Sequence, residues 1–303
     1  MYWLEVSVTT DGEGAEAVAE ALRPFAYNDG VVLEQWGDEA NPDPEALETA
    51  VTVKIYLPEE ADNPATRRRI EKIIYHMGRL YPLPAPQFRQ LAEADWANAW
   101  KENYHPFRAG RRIWIQPSWI EKKPAGMRPD DITLTLDPGM AFGTGTHPTT
   151  QMCLLALEEV TRPGMRVLDV GTGSGILAIA AAKLGAGKLL AVDTDGQAVK
   201  TAAANAAQNN VAAQIQIRQG ALDSVTERGW DIVVVNILAQ VIIPLLETGH
   251  LLEYVTPDGR LILSGIIAEQ AEAVATAVDR AGGQVLKNYT MGDWVAFIAS
   301  PAS

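Results

Sequence analysis

The sequence predicts an N-terminal α+β domain followed by a larger α/β domain with a seven-stranded sheet. The α/β prediction starts from an apolar run, Met165 to Val170, that leads into three alternating glycines and then an Ala-rich helix pattern. This succession of strand, glycine turn and helix is typical of parallel sheets. The last two strand patterns of the chain indicate a hairpin. The α+β prediction rests on residues 1–92, whose patterns follow the order β-α-β-β-α-β.

The first 92 residues are predicted to form a ferredoxin-like domain. Alternating apolar and polar residues indicate strands, and apolar residues at helical spacing, such as Ile70, Ile73, Ile74 and Met77, indicate a helix. The predicted strands are Tyr2 to Val8, Val31 to Trp36, Val51 to Leu57 and Gln87 to Leu91, and the predicted helices are Asp11 to Leu22 and Thr66 to Leu80.

Negative charge is concentrated in this first domain. Residues 1–60 contain fourteen acidic and two basic residues, a net charge of −12, whereas the whole chain has a net charge of −13. Such a region favours solubility, and it also attracts a basic partner and repels a bare nucleic acid. We therefore expect no direct binding to nucleic acid.

The composition also argues against several classes of protein. Because no run of about 18 apolar residues is present, we expect no membrane span, and the N-terminus lacks the features of a signal peptide. The single cysteine, Cys153, cannot form an intramolecular disulfide and suits the reducing cytoplasm. The absence of a Cys and His cluster predicts no metal site.

Residues 93–130 are predicted to connect the two domains. Trp96 and Trp100 would share one face of a helix, and aromatic residues at this spacing usually anchor a helix to a domain. One strand pattern, Arg111 to Gln116, lies within this connector, and another, Ile132 to Leu136, follows it. The α/β domain is assigned to residues 131–303.

The polar stretch from Asp137 to Thr150 is too long and too rich in glycine for a simple turn. Its glycines allow unusual backbone angles, and its Thr and His residues offer hydroxyl and imidazole groups. Because long loops in compact domains are usually functional, we expect this one to close over a bound ligand. The alternative is a structural loop in which Thr149 or Thr150 caps the helix predicted from Met152 to Val160.

The glycine turn after the first parallel strand indicates the kind of ligand. Gly171, Gly173 and Gly175 lie at every second position in a D-x-G-x-G-x-G pattern that begins at Asp169. A dinucleotide fingerprint requires G-x-G-x-x-G, and Ile176 breaks that pattern. The observed spacing is the one used by methyltransferases that bind S-adenosylmethionine. The alternative is an ordinary tight turn between a strand and a helix.

An acidic residue follows at a distance that suits an adenosine. Asp193 ends the next strand pattern, Lys188 to Val192, and lies 22 positions after Gly171. An acid at the tip of this strand can accept hydrogen bonds from both ribose hydroxyls. The alternative role of Asp193 is to cap the following helix, but Asp195 is better placed for it.

The remaining patterns complete a Rossmann-like sheet of the methyltransferase type. The predicted strands are Ile215 to Arg218, Asp231 to Val235, Leu261 to Ser264, Val285 to Thr290 and Trp294 to Ala299, and the predicted helices are Val241 to Leu252 and Glu269 to Ala281. The last two strands form a terminal antiparallel hairpin, which a dinucleotide-binding fold would not predict. Asn236 follows the second of these strands, at the edge where open α/β sheets bind ligands.

The chain resembles the family of methyltransferases that modify large-subunit ribosomal protein eleven. The resemblance covers the whole chain and rests on Phe142-Gly-Thr-Gly-Thr-His-Pro-Thr-Thr150, the glycine motif, Ala191-Val-Asp-Thr-Asp195 and Val235-Asn-Ile-Leu-Ala239. It implies S-adenosyl-L-methionine as the cofactor, an N-terminal domain that recognises a basic ribosomal protein, and a linker that lets the catalytic domain reach several amines. The implied acceptors are lysine side chains and the α-amino group.

The resemblance also assigns the residues of the site. The family's cofactor contacts fall on Thr150, Gly171, Asp193 and Asn236. The predicted site adds Gly173 of the glycine turn, and Phe142 and Thr146 of the polar loop.

Asn236 is the predicted catalytic residue. Methyl transfer to an amine is an in-line displacement, so alignment of the reactants is the main contribution of the protein. The side-chain oxygen of Asn236 can accept an N–H of a neutral amine, although a strand-end turn is the alternative role. Two other functions stay open, an RNA or small-molecule methyltransferase on the same fold and a cofactor-binding module without catalysis. Nucleobase methyltransferases often carry Asn-Pro-Pro-aromatic where this chain has Asn-Ile-Leu-Ala, which offers no ring to stack a base.

Overall fold

The structure, a computed structural model, describes residues 2–10, 12–27, 31–35, 51–79, 83–92, 105–120, 122–124, 126–136 and 145–302. The chain divides into two compact units, Met1–His105 and Pro106–Ser303. The second unit therefore begins within the segment that the sequence analysis assigned to the connector. The predicted anchors Trp96 and Trp100 lie outside the described residues. Among the described residues, no helix is both long enough and apolar enough to cross a membrane.

The first unit has the predicted order of strands and helices. It contains β1 (Tyr2–Thr10), α1 (Gly12–Leu22), β2 (Val31–Gln35), β3 (Val51–Pro58), α2 (Pro64–Met77) and β4 (Gln87–Ala92). Its antiparallel sheet has the strand order β2-β3-β1-β4, which is a ferredoxin-like arrangement. Leu4 and Val6 of β1 are buried in one core with Val18 of α1 and with Ile70 and Ile74 of α2. Both helices therefore pack on the same face of the sheet.

The second unit opens with a small three-stranded sheet. Its strands are β5 (Phe107–Arg108), β6 (Ile113–Gln116) and β7 (Ile132–Thr135), with β5 antiparallel and β7 parallel to β6. The sequence predicted β6 and β7 but missed β5, because a strand of two residues has no detectable alternation. Ile113, Ile115 and Leu134 are fully buried in a core shared with the main sheet.

The main sheet has seven strands among the described residues and is of the predicted methyltransferase type. The strands are β8 (Arg166–Val170), β9 (Lys188–Asp193), β10 (Ile215–Gln219), β11 (Trp230–Asn236), β12 (Val255–Ile267), β13 (Gly283–Met291) and β14 (Trp294–Pro301). Their order is β10-β9-β8-β11-β12-β14-β13. Strands β8 to β12 are parallel, whereas β14 runs antiparallel to β12 and β13. The predicted terminal hairpin is confirmed.

Helices cover both faces of the main sheet. They are α3 (Pro148–Val160), α4 (Ile176–Lys183), α5 (Gly196–Gln208), α6 (Ala239–Glu247) and α7 (Ala271–Arg280). Helices α3 to α5 share one core and α6 and α7 the other, because successive residues of β8 such as Val167 and Leu168 point to opposite faces. Helix α6 ends at Glu247, five residues before the predicted Leu252, because the backbone leaves the helical conformation at Thr248 and adopts a left-handed conformation at His250.

Two polar side chains from the main domain bond to the edge of β7. Lys183 Nζ donates to the carbonyl oxygen of Thr133 at 2.7 Å. The buried Asn209 accepts from the Thr135 N–H at 2.8 Å and donates to the Thr135 carbonyl oxygen at 2.7 Å. Asn209 thus pairs with Thr135 as a neighbouring strand would, and the small sheet is joined to the end of α5.

Candidate active site

The predicted cofactor residues meet at the carboxyl edge of the parallel strands. Strand β8 lies between β9 and β11, and Val170 is paired with both Val192 and Val235. Ligands of open α/β sheets bind at this edge. The next residues along these three strands are Gly171, Asp193 and Asn236.

The glycine turn that leaves β8 has a conformation that requires glycine. Gly171, Gly173 and Gly175 have φ angles of +74°, +55° and +81°, which side-chain-bearing residues rarely adopt. A Cβ atom at Gly171 would lie 2.6 Å from Cγ2 of Ile237, and one at Gly175 would lie 3.0 Å from Cβ of Ala202. The turn therefore presents bare backbone at the start of α4.

Hydrogen bonds from neighbouring elements hold the turn. The carbonyl oxygen of Val192 accepts the N–H of Thr172 at 3.0 Å. On the other side, Asn205 Nδ2 donates to the Ser174 carbonyl oxygen at 2.8 Å, and the Asn205 carbonyl oxygen accepts from Asn209 Nδ2 at 2.9 Å. Because Asn209 also pairs with β7, the glycine turn and the small sheet are linked through the end of α5.

Asp193 is bound to the glycine turn and leaves the helix cap to Asp195. One carboxylate oxygen of Asp193 accepts the N–H of Gly173 at 2.8 Å, and the other accepts the N–H of Asp195 at 3.0 Å. Asp195 caps α5 by accepting the N–H of Gln197 at 2.8 Å. A carboxylate has about four acceptor positions, so these bonds leave Asp193 with capacity for two hydroxyl donors.

A buried acid, Asp169, supports the turn from below. Its Oδ2 accepts from Thr172 Oγ1 at 2.6 Å and from the N–H of Ala178 at 3.2 Å, whereas its buried Oδ1 has no partner. Burial raises the pKa of Asp169 to about 6; the two hydrogen bonds oppose this rise, and the charge of Asp193 adds to it. This role of Asp169 was not predicted, although an acid within an apolar strand was a visible signal in the sequence.

The second predicted contact, Thr150, lies in the first turn of α3. This helix begins at Pro148, four residues before its predicted start, and its cap is His147 rather than Thr149 or Thr150. Nδ1 of His147 accepts the N–H of Thr149 at 3.4 Å and lies 2.7 Å from the Thr149 hydroxyl. Thr150 is fully buried and its hydroxyl has no hydrogen-bond partner, a condition that a polar ligand group would relieve.

The polar loop is described from Gly145 onward. Gly145 has a φ of +92°, and a Cβ atom there would overlap Cδ1 of Ile115 in β6. Thr146 is exposed, and its carbonyl oxygen accepts from Gln151 Nε2 at 2.8 Å. Phe142 lies outside the described residues, so its contact with the cofactor stays a prediction.

Asn236 ends β11 half-buried beside the glycine turn. It pairs with Ser264 of β12, and the next N–H, that of Ile237, donates to the Ser264 carbonyl oxygen at 3.2 Å. A Cβ atom at Gly265 would lie 2.2 Å from the carbonyl oxygen of Ile237. The backbone around Asn236 is therefore fixed by close packing.

Three features of this edge fit the predicted cofactor. The glycine turn offers bare backbone to the amino-acid part of S-adenosylmethionine. The carboxylate of Asp193 has acceptor capacity for ribose hydroxyls. Ser264 of the edge donates to the carbonyl oxygen of Thr149 at 3.1 Å, and the buried hydroxyl of the next residue, Thr150, lacks a partner within the chain.

Comparison with known proteins identifies the family. The model of the family described as ribosomal protein L11 methyltransferase (PrmA) matches residues 2–301. The chain belongs to this family. A ribosomal protein L11 methyltransferase of Chloroflexus aurantiacus is 41% identical, with 98% of this chain and 97% of that protein covered. One of Pelotomaculum thermopropionicum is 41% identical, with 99% of both chains covered.

A solved structure of the same family supports the fold. The ribosomal protein L11 methylase of Lactobacillus delbrueckii subsp. bulgaricus is 34% identical and aligns with a TM-score of 0.61, covering 66% of this chain and all of that one. As a family member, this chain is an S-adenosyl-L-methionine-dependent methyltransferase that acts on a protein. The prediction from the sequence is confirmed for the family and for the cofactor.

The role proposed for Asp193 can be tested by Asp193→Ala. We expect S-adenosylmethionine binding to weaken by roughly 1.5–3 kcal/mol, the usual contribution of hydrogen bonds to a charged group. Titration calorimetry measures this directly. Asp195→Ala is the matched control, because it removes a neighbouring carboxylate that caps α5 and should leave the affinity unchanged. Equal affinities of wild type and a folded Asp193→Ala protein would exclude the ribose role.

The raised pKa of Asp169 predicts a pH-dependent stability. Between about pH 4 and pH 6 the folded chain holds a proton on Asp169 that the unfolded chain releases, so this residue's contribution to stability falls as the pH rises through that range. Asp169→Asn removes the titration. Thermal melts from pH 4.5 to 8 should show the wild type losing stability relative to the variant up to about pH 6 and no further. A constant difference across the range would contradict the assignment.

Proposed function

We propose that this chain transfers methyl groups from S-adenosyl-L-methionine to amino groups of ribosomal protein L11, at lysine side chains, at the N-terminal α-amine or at both. The observation that carries the chemistry is the fixed position of Asn236 beside the glycine turn, at the edge shared by β8, β9 and β11. The protein substrate follows from family membership. An RNA or small-molecule substrate is not favoured, and Asn-Ile-Leu-Ala offers no ring for a base.

The cofactor is assigned to the residues gathered at this edge. Gly171 and Gly173 would admit its amino-acid part, Asp193 would accept its ribose hydroxyls, and the hydroxyl of Thr150 would bond a polar group of the cofactor. Asn236 borders the same space. Phe142 and Thr146 of the polar loop complete the proposed set.

The residues of the site then have to align a neutral amine. When bound, S-adenosylmethionine supplies an electrophilic methyl group on a sulfonium. A free lysine has a pKa of about 10.4, and burial against the apolar ends of β8 and β11 would lower it, because desolvation disfavours the charged form. The side-chain oxygen of Asn236 would accept one N–H of the amine and direct its lone pair along the line of transfer.

Residues 1–92 are proposed to recognise the substrate, residues 93–130 to act as the linker and residues 131–303 to carry the reaction. The net charge of −12 in residues 1–60 is complementary to a basic ribosomal protein. We further propose that methylation takes place in the cytoplasm, before or during ribosome assembly, when the basic surface of the substrate is not yet covered by ribosomal RNA.

A comparison of the full chain with a chain that begins at Pro106 tests the function and the division of labour. With labelled cofactor and purified ribosomal protein L11, the full chain should label the protein on amines, as mass spectrometry of the product would show. The shorter chain contains every described residue of the site and should bind the cofactor but label L11 at least about tenfold more slowly. Absence of label with the full chain would refute the function, and undiminished labelling by the shorter chain would refute recognition by the first unit.

Asn236→Asp tests the chemical role of Asn236. The variant keeps the size and an acceptor oxygen but adds a negative charge, which favours a protonated amine and should raise the pKa of the bound acceptor by about one to three units. Turnover at saturating cofactor should therefore fall near neutral pH, and the pH optimum should move upward. Asn236→Ala is the companion variant, which should lower turnover without that shift. Normal turnover and an unmoved pH profile for Asn236→Asp would leave Asn236 with a binding or structural role only.

A further inference from the structure

Two exposed aliphatic side chains lie next to Asn236 at the start of α6. Leu238 is 56% exposed and Val241 is 44% exposed. Among the described residues, the other aliphatic side chain of comparable size and exposure is Leu286 of β13, at 46%. Leu238 is the N-cap residue of α6 and Val241 lies in the first turn of that helix; we call these two exposed side chains the Leu238–Val241 patch.

The patch is held rigidly by the residue that precedes it. Cγ2 of Ile237 fills the space that a Cβ atom at Gly171 would need, and the Ile237 carbonyl group fills the space at Gly265. The carbonyl oxygen of Leu238 accepts the N–H of Val241 at 2.9 Å and so begins α6. Leu238 is therefore exposed on a fixed backbone rather than on a turn that could fold back over the core.

The chemistry of α6 distinguishes between possible ligands. The helix sequence, Ala-Gln-Val-Ile-Ile-Pro-Leu-Leu-Glu, carries no charge before Glu247 at its far end. The exposed residues at its start are Leu238, Gln240 and Val241, which carry no charge and no ring on which a base could stack. The methylene stem of a lysine is apolar while its amine is polar, so such a side chain matches an apolar patch that leads to Asn236.

We propose that the Leu238–Val241 patch binds the acceptor-bearing segment of the substrate protein. The aliphatic stem of the acceptor lysine, or the apolar atoms of the chain beside an α-amine, rests on Leu238 and Val241 while the nitrogen reaches Asn236. Binding then removes from water an apolar surface that the free chain leaves exposed at the mouth of its site. This inference rests on the proposed function, because the acceptor position is taken from Asn236.

The test compares the double variant Leu238→Ser/Val241→Ser with the matched control Leu286→Ser in the full chain. All three positions are exposed, so neither protein should lose its fold. With saturating S-adenosylmethionine, we expect the KM for ribosomal protein L11 to rise about tenfold or more in the double variant, the effect of losing two partly buried aliphatic contacts. The control should match the wild type. The dissociation constant of the cofactor, measured by calorimetry, should be the same in all three proteins.

Each other outcome has a distinct meaning. An equal KM in the double variant and the control would overturn the inference while methylation of L11 by the wild type kept the proposed function. A weakened cofactor affinity that accounts for the loss would also overturn it, since the patch would then act through the cofactor site. If sedimentation shows a dimer for the wild type and a monomer for the double variant, the patch binds a second copy of the chain and the inference is overturned. Failure of the wild type to methylate L11 would overturn the proposed function and this inference together.

Discussion

The close packing of Ile237 between Gly171 and Gly265 is the constraint on which the site depends. Both glycines have positive φ angles, and in both a Cβ atom would lie within 3 Å of Ile237. This contact sets the distance between the end of β8, where the cofactor is proposed to bind, and the end of β11, where Asn236 and the Leu238–Val241 patch lie. The ends of β8 and β11 are therefore held together by the packing of one residue, Ile237, against two glycines.

Two buried polar groups near the site lack hydrogen-bond partners within the chain. Asp169 is 1% exposed and yet leaves one oxygen unpaired, and Thr150 is fully buried with an unpaired hydroxyl. Unsatisfied buried groups lower the stability of the free protein. For Thr150, a ligand that supplied the missing hydrogen-bond partner would gain affinity over one that did not.

The placement of Gly171, Asp193 and Asn236 at one edge of the sheet could be predicted from the sequence because its signals are local, while the roles of these residues stay predictions. Glycines at positions 171, 173 and 175 indicate a turn with positive φ angles. The 22 positions from Gly171 to Asp193 match the length of the helix and strand that follow the turn. The seven strands and the terminal hairpin were predicted from the same regular patterns. Substrate recognition by residues 1–92 has no comparable signal, since a ferredoxin-like domain of acidic composition serves many purposes.

The differences arose at helix caps that the sequence patterns missed and at contacts between elements far apart in the chain. Helix α2 begins two residues before its predicted start because Asn63 accepts the N–H groups of Ala65 and Thr66. Helix α3 begins at Pro148 because a histidine, an unusual cap, accepts the first free N–H. The role of Asp169 depends on Ala178, nine positions away on another element. The exposure of Leu238 depends on two glycines that no local pattern connects with it.

The attachment of Lys183 and Asn209 to β7 has a consequence beyond the site. Strand β7 is an edge of its sheet, and unpaired edge groups invite pairing with strands of other molecules. Here the Thr133 carbonyl group and both backbone groups of Thr135 are occupied by side chains of the chain itself. The β7 edge is thereby blocked against pairing with other strands without a covering strand, and replacement of Asn209 would reopen this edge to such association.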